Sequence, residues 1–313
     1  MKLFEKETRF DFMGKRRIAL SLSLTMMILA VVSVSVRGLN FGIDFTGGTL
    51  VELGYHKAIN PADVRDELVK SGFEDAVVQS FGTARDVLVR LAPRPGQSSA
   101  QLSSTILSAL QQASPEQVEM RRVEFVGPQV GDELTEDGGL AVLWSLIGIL
   151  IYVALRFEKR FAFGAVMALV HDVLITVGFF ALLGIEFDLS VLAAILAVIG
   201  YSLNDTIVVF DRVRENFRKL RKGTPEEIIN IAVNQTLSRT IMTSLTTLLV
   251  LIALFLFGGE VIHGFATALI VGIVVGTYSS IYIASAGVLI LKISKADLMP
   301  VQKEGKTAAD NQP

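Results

Sequence analysis

The acidic residue Asp205 lies within a long apolar stretch, residues 191–210, directly after Asn204. A run of this length and composition predicts a helix that crosses a membrane. An aspartate in the hydrocarbon costs about 2.5–3.5 kcal/mol on insertion scales, so it usually faces a bundle interior or an aqueous cavity. Asp205 is therefore the first candidate for chemistry in this chain, and reversible proton binding is the chemistry that it offers.

Arg239 is the candidate basic counterpart of Asp205. It opens the next apolar stretch, where Thr243 and Thr247 follow at intervals of four residues and share its helix face. In antiparallel neighbouring helices Arg239 would reach the depth of Asp205. A guanidinium that approaches and leaves the carboxylate would make proton occupancy depend on helix arrangement. The residues also allow a static ion pair that locks two helices, or a carboxylate that reaches the interface.

Asp172, beside His171, is a second acid within an apolar stretch. A proton relay and a hydrogen bond that packs helices explain it equally well. An intramembrane hydrolase built on this pair is the enzymatic alternative. The chain has neither an HExxH motif nor a nucleophile elbow, so we predict that it is not an enzyme.

Metal and cofactor chemistry has little support in the composition. The chain has no cysteine, which excludes disulfides and cysteine-ligated metals. Its three histidines, His56, His171 and His263, lie far apart and show no metal-ligand spacing. We therefore predict no metal, no cofactor and, with a formal net charge of −2, no nucleic-acid partner.

The elements that must position these residues are predicted to be membrane helices, since 51% of the 313 residues are hydrophobic. Six apolar segments are long enough to cross a bilayer. They are residues 18–36, 139–156, 161–183, 189–210, 239–257 and 264–291. The first follows three basic residues and is too long for a typical cleaved signal peptide, so it is predicted to be a retained anchor.

The positions of Lys and Arg predict the orientation. Basic residues cluster in 1–17, between the second and third spans, and in 211–238, whereas the short connections 184–188 and 258–263 contain none. The positive-inside rule places both termini in the cytoplasm and residues 37–138 in the periplasm. The connection 211–238 is predicted to be an amphipathic cytoplasmic loop; it could bind anionic lipid or a partner, or simply anchor the orientation. The tail, 292–313, is predicted to be cytoplasmic and disordered.

Residues 37–138 carry the pattern of a small α+β domain. Strand-like runs at 49–55, 76–81, 86–92 and 117–126 alternate with helical runs at 60–71 and 98–113. The resulting order β-α-β-β-α-β predicts a ferredoxin-like module. The fold class is thus a multi-pass α-helical membrane protein, with six transmembrane helices and one periplasmic ferredoxin-like domain between helices 1 and 2.

Glycine-rich junctions flank this domain. The first contains Gly42, Gly47 and Gly48, and the second contains Gly127 and Gly131. They are either hinges on which the domain tilts or tight turns where the chain enters a compact domain. Asp44, within the first junction, is predicted to brace its turn.

Small residues recur every fourth position in the last span. They are Gly264, Ala268, Gly272, Gly276, Ser280 and Ala284. Such a stripe lets a neighbouring helix or subunit approach closely, so we predict a packing role.

Four motifs together resemble the SecD/SecF family of protein-export membrane proteins. They are GIDFTGG at 42–48, VGPQVG at 126–131, GYSLNDTIVVFDRVREN at 200–216 and SRTIMTS at 238–244. The third is highly specific, and the likeness covers about residues 1–295. The single external domain fits the SecF branch of the family.

The resemblance implies a function beyond what the residues alone support. Such proteins resemble half of a resistance-nodulation-division (RND) transporter and pair with SecD. They work beside the SecYEG channel, the SecA ATPase and YajC, and use the proton-motive force to promote late export of unfolded preproteins across the inner membrane. The family's proton-coupling aspartate and arginine fall on Asp205 and Arg239. From the residues themselves, Asn204, Asp172 and Thr243 are candidate supporting polar groups. The alternative function is a scaffold that joins SecD to the channel without carrying protons.

Overall fold

The structure is a computed structural model that describes residues 8–94, 99–113, 118–220 and 222–293. Within that part the elements follow one another in the order α1 (Arg16–Arg37), β1 (Asn40–Phe41), α2 (Ile43–Thr46), β2 (Gly48–Tyr55), α3 (Pro61–Lys70), β3 (Val77–Phe81), β4 (Thr83–Leu91), α4 (Ser99–Ala113), β5 (Val118–Val126), α5 (Pro128–Arg156), α6 (Lys159–Leu183), β6 (Glu186–Phe187), α7 (Leu189–Lys219), α8 (Pro225–Phe257), α9 (Glu260–Ser279), a π-helix (Ser280–Ala284) and α10 (Ser285–Ile290).

Six helices in the described part are long and apolar enough to cross a membrane. They are α1, α5, α6, α7, α8 and the continuous run from α9 to α10. The predicted class of a six-span membrane protein with one small α+β domain is confirmed. The tail prediction for 292–313 lies outside the described residues from position 294 onward.

The helices α7 and α8 are longer than their apolar cores. Residues 211–219 continue α7, and α8 begins at Pro225, so most of the predicted amphipathic connection is helical. Thr224 and Glu227 form a capping box at the start of α8, as the sequence pattern indicates. The chain before α1 lies on this part of α8, because the amides of Phe10 and Phe12 each donate to an asparagine side chain of α8 at 2.8 Å.

The head domain, residues 48–126, has the predicted ferredoxin-like topology. Its antiparallel sheet has the strand order β3-β4-β2-β5, and α3 and α4 complete the predicted β-α-β-β-α-β sequence. Alternate residues of the strands point to the helices, so Val51, Leu53 and Val89 are buried with Leu68 and Ile106. The membrane helices form a separate hydrophobic core.

A pair of short strands at the base of the head domain links two membrane helices and contacts the head domain through Arg90. β1, which follows α1, pairs in parallel with β6, which precedes α7. Arg90 of β4 donates to the carbonyl of Phe41 and, at 3.3 Å, to Asn40 Oδ1. Asp44 braces a different element from the one predicted, since its Oδ2 accepts from the amide of Leu189 at 2.9 Å, at the start of α7.

The two glycine junctions pack against each other. Gly47 has φ +67°, and a Cβ there would lie 2.9 Å from the Cα of Pro128. A Cβ on Gly131 would lie 2.8 Å from the amide nitrogen of Gly47. The glycines therefore allow a close backbone crossing where the chain enters and leaves the head domain. Their use as hinges stays a prediction.

The stripe of small residues lies against α7, in agreement with its predicted packing role. A Cβ on Gly272 would lie 2.2 Å from a methyl group of Val198, and one on Gly276 would lie 3.1 Å from the Cβ of Ser202. Small residues thus bring the backbone of α9 close to the polar part of α7.

Candidate functional site in the membrane helices

Asp205 is buried between three helices and is 6% exposed. Thr240 of α8 donates to its Oδ1 at 2.8 Å, and Ser280 of the π-helix donates to its Oδ2 at 2.9 Å. A buried carboxylate is costly unless hydrogen-bonded, and here each oxygen has its own hydroxyl donor. The carboxylate therefore holds α7, α8 and the end of α9 together.

Arg239 is next to Asp205 but not joined to it. Its side chain is exposed, and it makes no ion pair within 4.0 Å with the aspartate, although the two charges interact at longer range. The following residue, Thr240, takes the direct contact. Asp205 and Arg239, the predicted acid and base, thus lie in the same region. The group that contacts the carboxylate from α8 is the hydroxyl of Thr240.

Asn204 and Thr243, two further polar residues predicted to support Asp205, lie on the exposed surface of the helical bundle. Asn204 and Thr243 are exposed, and nothing lies within 4 Å of the Cβ position of Gly200. Thr243 donates to the carbonyl of Arg239 at 3.1 Å, and Thr247 donates to that of Thr243 at 3.0 Å. Thr243 thus bonds within its own helix, whereas Thr247 also accepts from the hydroxyl of Tyr201 on α7 at 3.4 Å.

Asp172 is the centre of a second buried polar cluster. It is 1% exposed, and Ser202 of α7 and Ser279 of α9 donate to its Oδ2 at 2.5 and 2.7 Å. His171 Nδ1 lies 2.9 Å from its Oδ1. The two clusters share elements, because Ser279 and Ser280 are consecutive and Ser202 precedes Asp205 by three residues.

Sequence reasoning missed the hydroxyl groups that hold both acids. Ser280 was assigned only to packing, and Thr240, Ser202 and Ser279 were given no role. Ser244 and Thr277 form a further contact of 2.7 Å between α8 and α9. The available signal was the presence of several hydroxyl residues within apolar stretches, which usually find partners across helices.

Glu186 marks the contact between head domain and membrane helices. Its Oε2 accepts from Gln79 at 3.1 Å, and Arg90 lies 3.9 Å from its Oε1. Burial raises the pKa of Glu186, while Arg90 and the hydrogen bond from Gln79 oppose the shift. A cleft of about 650 Å³ lies beside it, between the sheet and the start of α7.

The described residues contain no group of three His, Cys, Asp or Glu side chains that could hold a metal ion. The site that they do contain is a pair of buried carboxyl groups in a helical bundle. Together with the inserted ferredoxin-like domain, it defines a class of multi-pass membrane proteins in which acids sit where helices meet.

Comparisons with known proteins narrow this class. Residues 105–294 match the family described as protein export membrane protein SecD/SecF, C-terminal, and residues 32–59 match the SecD/SecF GG motif. The chain is 56% identical over 306 residues to the protein translocase subunit SecF of Vibrio alginolyticus, with 97% of each chain covered. It is 51% identical to that of Pseudomonas aeruginosa, again with 97% of each covered. The chain belongs to the SecF family of protein translocase subunits.

A solved structure agrees in fold. The crystal structure of SecDF from Thermus thermophilus, described as a translocon-associated membrane protein, superposes with a TM-score of 0.84 at 42% identity. The match covers 93% of this chain and 40% of the SecDF chain, so this chain spans less than half the length of that protein. A second SecDF structure, in a super-membrane-facing form, superposes with a TM-score of 0.69 at the same identity.

Proposed function

We propose that this chain is the SecF subunit of a protein-export machinery in which Asp205 couples the proton-motive force to late preprotein translocation. The observation that carries the proposal is the buried Asp205 carboxyl, held by hydroxyls from two other helices. Moving one charge across the membrane field is worth about 2.3 kcal/mol per 100 mV, which is enough to shift helices between two arrangements.

The hydrogen bonds suggest how a proton would change the bundle. Ionised Asp205 accepts from Thr240 and Ser280 at once. A protonated carboxyl carries its own O–H donor, so one of the two hydroxyls must turn or move away. Protonation therefore changes the hydrogen bond between α7 and α8 or the one between α7 and the π-helix. The longer-range attraction between Arg239 and the acid falls when the acid is neutral and returns after deprotonation.

The head domain is placed to follow such a movement. The first residues of α7 are held by Asp44, and β6, just before α7, pairs with β1. A shift of α7 would therefore reach the head domain through its junction. The proposed cycle loads a proton from the periplasm, moves the head domain while it holds the emerging preprotein, and releases the proton to the cytoplasm.

We propose SecD as the partner that completes the membrane unit. The related SecDF chain is more than twice as long as the part matched here. Asn204, Arg239 and Thr243 are exposed in the lone chain, and polar side chains at membrane depth need a protein or aqueous neighbour. SecYEG, SecA, YajC and unfolded preproteins are the further partners, at the inner membrane, with both termini in the cytoplasm.

Asp205→Asn tests the proposal. In vesicles that contain the chain with SecD, we expect this variant to abolish proton flux and gradient-dependent export while membrane insertion persists. Asp211→Asn is the matched control, because Asp211 lies on the same helix but is half exposed and pairs with Arg156 at 3.1 Å. Normal flux in Asp205→Asn would reject proton coupling at this site. Export stimulation that survives collapse of the gradient would favour the scaffold.

A further inference from the structure

His171 and Asp172 form a buried imidazole–carboxylate pair that the proposed cycle does not use. Both residues are 1% exposed, and His171 Nδ1 lies 2.9 Å from Asp172 Oδ1. The other carboxylate oxygen accepts from Ser202 and Ser279. With three hydrogen-bond partners, the carboxyl is well suited to carry its negative charge.

His171 keeps one nitrogen free of these contacts. Within the described part of the chain, buried Nε2 has no hydrogen-bond partner. When Nδ1 carries a hydrogen and donates it to Asp172, Nε2 holds a lone pair and acts as a base. A proton that binds there makes an imidazolium whose charge is balanced one hydrogen bond away.

The groups around the pair come from its own helix and from three others. Asp172 is the neighbouring charge on α6, and α7 contributes Asp205 one turn from Ser202. From α9, the ring of Tyr278 lies 6.2 Å from the imidazole, centroid to centroid. Its hydroxyl donates to the carbonyl of Ala19 at 2.7 Å and lies 3.0 Å from Ser23 Oγ, both on α1.

Two short segments connect this pair to Asp205. Ser279 binds Asp172 and the next residue, Ser280, binds Asp205. These serines stand at the point where α9 becomes a π-helix, a local widening often found at functional sites. On α7, Ser202 and Asp205 lie one turn apart on one face. A movement of either segment therefore changes the hydrogen bonds of both acids.

We infer that the His171–Asp172 pair is a second proton-binding site, coupled to Asp205 through the Ser279–Ser280 segment and α7. One N–H bond forms at Nε2 when the proton enters and breaks when it leaves. The pair changes from net charge −1 to 0, and nothing is oxidised or reduced. This inference rests on the proposed proton coupling at Asp205 and adds a second site to the same cycle.

A purely structural histidine would make the same contact with Asp172. The variants must therefore separate hydrogen-bond donation by Nδ1 from proton uptake at Nε2. His171→Asn keeps a side-chain N–H donor near the position of Nδ1 and has no base to replace Nε2. Ser279→Ala removes one donor to Asp172 and leaves both titratable groups in place. Both variants are to be compared as full chains assembled with SecD, with assembly measured for each.

The first measurement is direct. Nitrogen NMR of the histidine-labelled protein in a bilayer reports on three histidines, each with two ring nitrogens, and His171→Asn identifies the two signals from position 171. We expect these signals to change from neutral imidazole to imidazolium within the pH range over which the assembled protein stays folded. A single neutral tautomer across the whole range would overturn the inference, whatever the flux assay shows.

The second measurement is the pH profile of proton flux in vesicles. In His171→Asn we expect proton flux to change by less than about twofold over the same pH range. In Ser279→Ala we expect the pH-dependent part of the flux profile to shift along the pH axis. A wild-type profile in His171→Asn, with Asp205→Asn inactive, would overturn the second site and leave the proposed function standing. Undiminished flux in Asp205→Asn would instead reject the proposed function, and the NMR titration would still decide whether His171 binds a proton.

Discussion

The buried acids of the membrane helices are held by hydroxyl groups rather than by arginine. Asp205 accepts from Thr240 and Ser280, and Asp172 accepts from Ser202 and Ser279. Hydroxyls can rotate and can either donate or accept, so they remain useful partners in both protonation states. A fixed guanidinium can only donate, and it would favour the ionised form alone. This arrangement suits a group that must change charge.

The contribution of the Thr240 hydroxyl can be isolated. Thr240→Val keeps the shape of the side chain and removes the donor to Asp205. A hydrogen bond to a charged group contributes about 1.5–3 kcal/mol, so we expect proton flux to fall by tenfold or more and its pH profile to shift. Thr246→Val is the control, since the Thr246 hydroxyl donates only to carbonyls of its own helix. Equal effects of the two variants would show that the direct contact with Asp205 has no special role.

At the scale of elements, short pieces of structure connect the head domain to the bundle. The two-residue strands β1 and β6, the side chain of Arg90 and the crossing glycines all meet there. Each contributes few contacts, so the connection can open while the head domain and the bundle keep their separate cores.

Glu186 should make this connection sensitive to pH. Because its pKa is raised in the folded state, chiefly by burial, protonated Glu186 fits the contact better than ionised Glu186. Stability from this group is complete below its ordinary pKa of 4.5 and is lost as pH rises through the raised value. In Glu186→Gln the side chain cannot ionise, so the contact keeps its stability at neutral pH. We therefore expect slower amide hydrogen exchange at residues 40, 41, 186 and 187 than in wild type. Faster exchange in the variant would show that the ion pair with Arg90 dominates.

Gly47 and Gly127 offer a matched test of the glycine junctions. Gly47→Ala would force a side chain into φ +67° and 2.9 Å from Pro128, whereas Gly127 has φ −66° and open space. We expect Gly47→Ala to lower the free energy of unfolding by about 1–3 kcal/mol and Gly127→Ala to change it by under about 0.5 kcal/mol. Thermal unfolding in detergent measures both. Similar stability of the two would mean that the junction relaxes around a side chain.

On the scale of the whole molecule, the proposed cycle needs the head domain to move relative to the membrane helices. Since the chain has no cysteine, pairs of introduced cysteines can be cross-linked without background. Gln79→Cys with Glu186→Cys joins the head domain to the base, where the native side chains lie 3.1 Å apart. With a short bifunctional maleimide we expect export stimulation to be lost.

Asp75→Cys with Arg94→Cys is the control for that experiment, because these side chains form a 2.6 Å ion pair within one domain. The same reagent should leave export unchanged there. Full export in the cross-linked Gln79–Glu186 pair would show that the head domain works without leaving its base.

Much of the architecture followed from local patterns. Apolar length determined the six spans, and alternation with turn residues determined the strands and helices of the head domain, because these signals depend on neighbours in the chain. Asp205 was also identifiable, because the free-energy cost of placing a carboxyl group within an apolar span is by itself a signal of function. The specific motif at 200–216 identified the family.

Tertiary structure alone decided which groups hold the acids. Thr240, Ser202, Ser279 and Ser280 come from three helices, and only helix rotation and depth bring their hydroxyls to a carboxylate. The same packing separates Arg239 from Asp205 and joins Asp44 to α7. Periodicity places a residue on a face but leaves open which face of another helix it meets, because that depends on how all the helices share one core.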